Sequence, residues 1–188
     1  TANPVLRKLG LSDNDKVVIF HIDDVGSCQA AFSAYVDLVD FGLISSAAIM
    51  VPCPWFTQAA AFCKQHPEVD MGVHLTLNSE WDTCRWAPIS TTDPASGLID
   101  DEGYFHHRQP AVYASADPAA GKVEMKAQIE RALKAGVDVT HIDSHMGTIA
   151  HSKFLQSYLD LSEEYRLPPT ILFRGQTVGF EALGRDKQ

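Results

Sequence analysis

The chain has 188 residues, a length that suits one domain with a sizeable core. Its hydrophobic share of 45% and charged share of 21% are those of an ordinary globular protein and argue against disorder. A net charge of -9 without a basic patch excludes a grip on phosphate backbones, so no nucleic acid partner is expected; neutral sugars and small amides remain open as substrates.

Residues 16–22 (KVVIFHI) form a continuous β-branched apolar run, the pattern of a strand buried on both faces. Ser27 follows a glycine and is expected to cap a helix over residues 28–41, with Ala31, Tyr35, Leu38 and Val39 as its apolar stripe. Gly42 ends that helix. Residues 45–51 (SSAAIMV) read as a second strand, and Pro54 opens a helix to about Gln65. Residues 69–77 (VDMGVHLTL) read as a third strand, followed by a long polar loop over 78–117. A helix over 118–135, a strand over 139–143, a helix over 152–165 and a strand over 170–173 complete the series. Alternating strands and helices imply parallel strands with right-handed crossovers, in an open doubly wound sheet or a barrel. In both architectures the active site lies at the carboxyl ends of the strands.

Cys28, Cys53, Cys63 and Cys84 form no CxxC pair and fit no zinc-knuckle spacing. They read as free thiols, which favours a reducing compartment and a cytoplasmic location. No apolar run is long enough to cross a bilayer, and the opening residues lack a signal-peptide core, so no membrane role is expected.

Three clusters carry the chemistry. Asp23 and Asp24 close the first strand, and two adjacent carboxylates there are costly to bury unless paired or metal-bound. Read alone, they could instead cap the next helix. His74 is a lone polar residue inside the third strand, a pattern equally met by a hydrogen-bonded core histidine. His141, Asp143 and His145 recur with period two, which puts all three on one strand face. Each cluster ends a separate parallel strand, so all three are expected to converge at one rim. One Asp and two His with open positions would suit a single catalytic divalent ion.

The segments FHIDDVG, SSAAIM, VDMGVHLTL and THIDSHMG, in that order and spacing, resemble the YdjC-like (ChbG/HpnK) carbohydrate deacetylases over residues 16–173. The resemblance implies an α/β fold, a (β/α) barrel-like architecture of parallel strands. It further implies a single deacetylase domain over 1–188, whole or lacking its C-terminal part, that removes acetyl groups from N-acetylated sugars with the help of a metal. By position, Asp24, His74 and His145 would be the metal ligands, Asp23 the general base, and Asp143 the residue that orients a ligand or the reacting water. One divalent ion, magnesium or zinc, would be the cofactor.

The chain departs from the family pattern in two places. Many members carry a histidine two positions after the equivalent of His145, where this chain has Gly147. Members are commonly longer, with a late histidine proposed as the acid, whereas the last histidine here is His151. His141, His106 and His107 are the other candidates for that role. Five strands do not make a full barrel, so an incomplete or open barrel, or one completed by a partner chain such as a second copy in a homodimer, is expected. Trp81, Trp86, Tyr104 and Phe105 would form either a sugar platform or the loop's own small core. A non-catalytic metal- and sugar-binding homologue and a phosphoesterase are the alternative functions. The latter would call on Arg85, Arg108 or Arg174.

Overall fold

The computed structural model describes residues 7–12 and 14–170. Four strands form one sheet: β1 (His21–Val25), β2 (Ser46–Ile49), β3 (Met71–Leu75) and β4 (Val139–Ser144). Five helices lying wholly within the described residues accompany them: α1 (Gln29–Phe41), α2 (Phe56–Gln65), α3 (Gln109–Ser115), α4 (Pro118–Lys134) and α5 (Ser152–Tyr165). All three strand pairings are parallel, and the spatial order β1-β2-β3-β4 repeats the chain order. A doubly wound sheet reverses its order at a switch point, and this one does not. It is therefore wound like a barrel, with right-handed crossovers leaving the helices on one face. The four described strands do not close. After α5, Ile142 N–H donates to Pro168 O and Thr170 N–H to Ile142 O, at 3.1 and 2.8 Å. The chain thus returns parallel to β4 at Pro169. The rest of the strand expected over 170–173 lies outside the described residues.

The sheet packs its helix-facing side chains into the core. Ala47, Ile49, Met71, Val73, Leu75 and Ile142 are buried there together with Phe56, Met125, Ile129 and Phe154. Helix ends follow local chemistry. Asp117 caps α4 by accepting from Ala119 N–H and Ala120 N–H, at 2.6 and 3.1 Å. Gly42 ends α1 with φ 78°, a conformation open to glycine. The cap of α1 is Cys28 rather than Ser27; its Sγ accepts from Ala31 N–H at 3.5 Å.

Two expectations are corrected. The first strand begins at His21, not at residue 16, and Val17, Val18, Ile19 and Phe20 are exposed. Their β-branched composition is that of a strand, but among the described residues only Phe20 reaches β2, through hydrogen bonds from Ser45 and Ser46 to its carbonyl. The segment over 78–117 is not one irregular loop. It holds a 3-10 turn (Pro94–Ser96), α3, and an antiparallel bridge between Ile99 and Phe105. Two buried polar residues of α4 that periodicity does not reveal hold this segment and the chain just before it. Glu124 accepts from Ile89 N–H and Ser90 N–H, and Gln128 both donates to and accepts from the Thr76 backbone. No described helix is long and apolar enough to cross a membrane.

Candidate metal centre

Asp24, His74 and His145 meet at the carboxyl rim of the sheet. Their nearest ligand atoms lie within 4.8 Å of one another. Each arrives by a different local device. β1 and β2 slip register between Ile22 and Val25, and Asp24 takes φ 57°, a left-handed conformation that Asp tolerates better than most residues. The kink turns its carboxylate toward the other two strands. His74 sits in β3 opposite Asp143 in β4. His145 is not the next residue of a strand face, as period two had implied. β4 ends at Ser144, and a 3-10 turn over His145–Ala150 follows, with Met146 and Gly147 at φ 51° and 70°. The turn sends His145 toward Asp24, while His141, within β4, lies beside His21.

Hydrogen bonds decide which nitrogen of each ring is free. His74 Nδ1 lies 2.6 Å from Asp143 Oδ1. A carboxylate only accepts, so Nδ1 carries a proton in either charge state, and Nε2 is the nitrogen whose lone pair is available when the ring is neutral. That Nε2 is buried and has no hydrogen-bond partner. It lies 3.3 Å from Asp24 Oδ1, near enough for an ion pair but out of line for a hydrogen bond. His145 places Nδ1 at 2.9 Å from Asp24 Oδ1 and Nε2 at 2.8 Å from Glu80 Oε2. His74 thus turns Nε2 to Asp24 with Nδ1 held on Asp143, the arrangement that fixes the tautomer of a ligating histidine, whereas His145 meets a carboxylate at each nitrogen, Asp24 at Nδ1 and Glu80 at Nε2. An orphaned buried Nε2 in a histidine and carboxylate donor set fits a divalent ion.

The charges are consistent with this. Burial works against the ionised form of Asp24, yet the hydrogen bonds from His145 and His74 hold its carboxyl well below the usual range. Burial disfavours a charged His74, but Asp143 and Asp24 outweigh it and push the imidazole up to about 9. Asp143, despite its burial, is held down to about 2 by His21 and His74. Burial pushes Glu80 up and His145 pulls it below its ordinary value; burial pushes His145 down and Asp24 and Glu80 raise it.

Other expected residues fall differently. Asp23 is exposed on β1, and its side chain makes no hydrogen bond or ion pair among the described residues. His106 is tied to Ser115 Oγ and Gly97 O, at 2.9 and 3.1 Å, and serves the loop. Trp86 and Phe105 are buried; Trp86 donates to Asn78 O at 2.8 Å and its ring lies 6.0 Å from that of His145. Trp81 and Tyr104 are exposed. The aromatic loop residues therefore divide between a small core and a free surface. Glu80 was not singled out in the sequence. Its only signal was its position, the first carboxylate past the end of the third strand.

Fold and site together define a barrel-wound parallel α/β protein with an Asp-His-His cluster at its carboxyl rim. The family model described as YdjC-like protein matches residues 17–186, and the chain belongs to that family. It is 36% identical over 151 residues to a carbohydrate deacetylase of Brevibacillus brevis, covering 80% of this chain and 57% of the relative. To a carbohydrate deacetylase of Thermus thermophilus it is 35% identical over 167 residues, covering 89% and 57%. A solved structure from Enterococcus faecalis, described as that of a proposed cellobiose-phosphate cleavage protein, superposes with a TM-score of 0.77 at 27% identity. That match covers 88% of this chain and 62% of the other. The chain thus spans somewhat more than half the length of these relatives.

Proposed function

We propose that this chain carries the metal-binding part of a carbohydrate deacetylase, which hydrolyses the acetamide of an N-acetylated sugar. The observation that carries the reading is the orphaned Nε2 of His74, facing Asp24 and backed by Asp143. The named activity of the Brevibacillus and Thermus relatives supports the substrate class. Asp24, His74 Nε2 and His145 Nδ1 would hold one divalent ion. Such an ion polarises an amide carbonyl and makes water more acidic. Asp143 holds His74, and Glu80 holds His145, so that both lone pairs face Asp24. Asp23, next to Asp24 and open to solvent, takes the proton from the attacking water as general base. Exposed Trp81 offers a flat apolar face to a sugar ring, while Tyr104 carries the Arg85 guanidinium over its ring at 4.9 Å.

A phosphoesterase would want a free cation at the rim. Arg85 is committed to Asp100 at 2.6 Å and Glu102 at 2.8 Å, which weighs against that reading. The test pairs elemental mass spectrometry with acetate release from N-acetylated mono- and oligosaccharides. One ion per chain, lost in His74→Ala and His145→Ala, together with acetate release, is the expected result. Bound metal and bound sugar without acetate would indicate a binding homologue instead, and no metal in zinc, magnesium or manganese would overturn the reading.

A further inference from the structure

Asp143 faces two ways. Its Oδ1 accepts from His74, while its Oδ2 lies 3.1 Å from Nε2 of His21 in β1. His141, two residues earlier in β4, brings its ring edge-on to that of His21, with centroids 5.4 Å apart. Donor atoms of His21, His141 and Asp143 all lie within 4.8 Å of one another, and this group shares no residue with Asp24, His74 and His145.

The outer nitrogens of both rings are already held. His21 Nδ1 meets Ser46 Oγ at 3.0 Å, and His141 Nδ1 meets Thr140 Oγ1 at 2.8 Å. Both hydroxyls in turn reach Asp70 Oδ1, at 2.9 and 3.0 Å. The leftover nitrogen of His141, Nε2, is buried without a hydrogen-bond partner. An isolated buried nitrogen is costly unless something satisfies it. Its position is also built into the sheet: a Cβ on Gly72 would lie 2.4 Å from it, so the ring crosses β3 only because residue 72 has no side chain. Finally, 3.1 Å between His21 Nε2 and Asp143 Oδ2 is close to the spacing of two donors on one ion with bonds of about 2.1 Å.

We infer that His21, His141 and Asp143 form a second divalent-cation site, joined through Asp143 to the site of the deacetylase reading. Two imidazoles and one carboxylate select a borderline ion of the zinc or cobalt class over magnesium. The outer Ser46, Thr140 and Asp70 fix the ring orientations, as such outer partners do for ligating histidines. The inference does not require that the chain deacetylate anything.

The experiment is a cobalt(II) titration of the whole chain, followed by visible absorption and by elemental analysis after desalting. Wild type, His21→Gln, His141→Gln and His145→Gln are compared, with circular dichroism to confirm folding; the His21 side chain, 30% exposed, is the least buried of the three, so its variant is the one least prone to folding failure. The expected result is saturation at two ions for the wild type and one for each variant, with a different absorption spectrum retained in His145→Gln than in His21→Gln. Saturation at one ion, lost in His145→Gln and unchanged in His21→Gln and His141→Gln, would overturn the second site and leave the first. One ion lost only in His21→Gln and His141→Gln would support the second site and overturn the first. Binding of no cobalt at all would overturn both.

Discussion

Glu80 gives the sharpest test of the metal centre. In Glu80→Gln the side-chain volume stays, and the amide oxygen still accepts from His145 Nε2, so only the negative charge is lost. In Glu80→Ala the bond, now 2.8 Å, disappears as well. Removing such an outer partner costs about 10–100-fold in metal affinity. The glutamine belongs near the lower limit, about 1.4 kcal/mol, and the alanine near the upper, about 2.7 kcal/mol. A second effect opposes the first. Without metal, Glu80 helps raise the pKa of His145, so it also strengthens the proton that a metal must displace. Losing Glu80 relieves that competition wherever His145 is protonated in the metal-free protein, and has no such effect once the imidazole is neutral. The affinity deficit of Glu80→Gln therefore grows as pH rises, and pH 7 and pH 9 are compared. Zinc competition against a chromophoric chelator at both pH values measures it. A variant that binds zinc as tightly as the wild type at pH 9, or a deficit that shrinks as pH rises, would refute the assignment of Glu80 as a support for His145.

Asp23→Asn should keep the bound metal and lower the rate of acetate release by about 10²–10⁴-fold, the usual worth of a general base; elemental analysis beside a rate assay checks both halves. In the chelated protein, the raised pKa of His74 contributes stability that is fully present below pH 6.5 and is lost as pH rises through about 9. The lowered pKa of Asp143 contributes stability present above pH 3.8 and lost as pH falls through about 2. Urea midpoints of metal-free protein should accordingly decline between pH 6.5 and 9, and a flat profile there would contradict the His74 pairing. Zinc binding should tighten over the same window by about tenfold per pH unit for each proton displaced, read by calorimetry in two buffers of different ionisation heat. Gln128→Ala strips both backbone partners from buried Thr76, at 2.9 and 2.8 Å, and should cost about 2–4 kcal/mol in denaturant unfolding without changing metal stoichiometry.

What the sequence determined by itself was local and periodic. The β-branched runs ending in polar residues identified three of the four observed strands to within a few residues, because a strand's apolar alternation is written in neighbouring positions. The helices over 118–134 and 152–165 were legible for the same reason, and Asp24, His74 and His145 stood out as polar residues closing or interrupting apolar strands. Period two failed where the backbone stopped being a strand. It put His141, Asp143 and His145 on one face, whereas the turn after Ser144 carries His145 to Asp24 and leaves His141 beside His21. The left-handed kink at Asp24 and the register slip in β1 likewise have no signature in residue order. Glu80 was invisible because a lone carboxylate in a polar segment has no pattern; only the folding of residues 78–80 over the rim brings it to a histidine 65 positions away. The free nitrogen of each buried imidazole depends on which carboxylate or hydroxyl faces the other one. Those partners come from different strands, and only their approach in space decides which lone pairs remain for an ion.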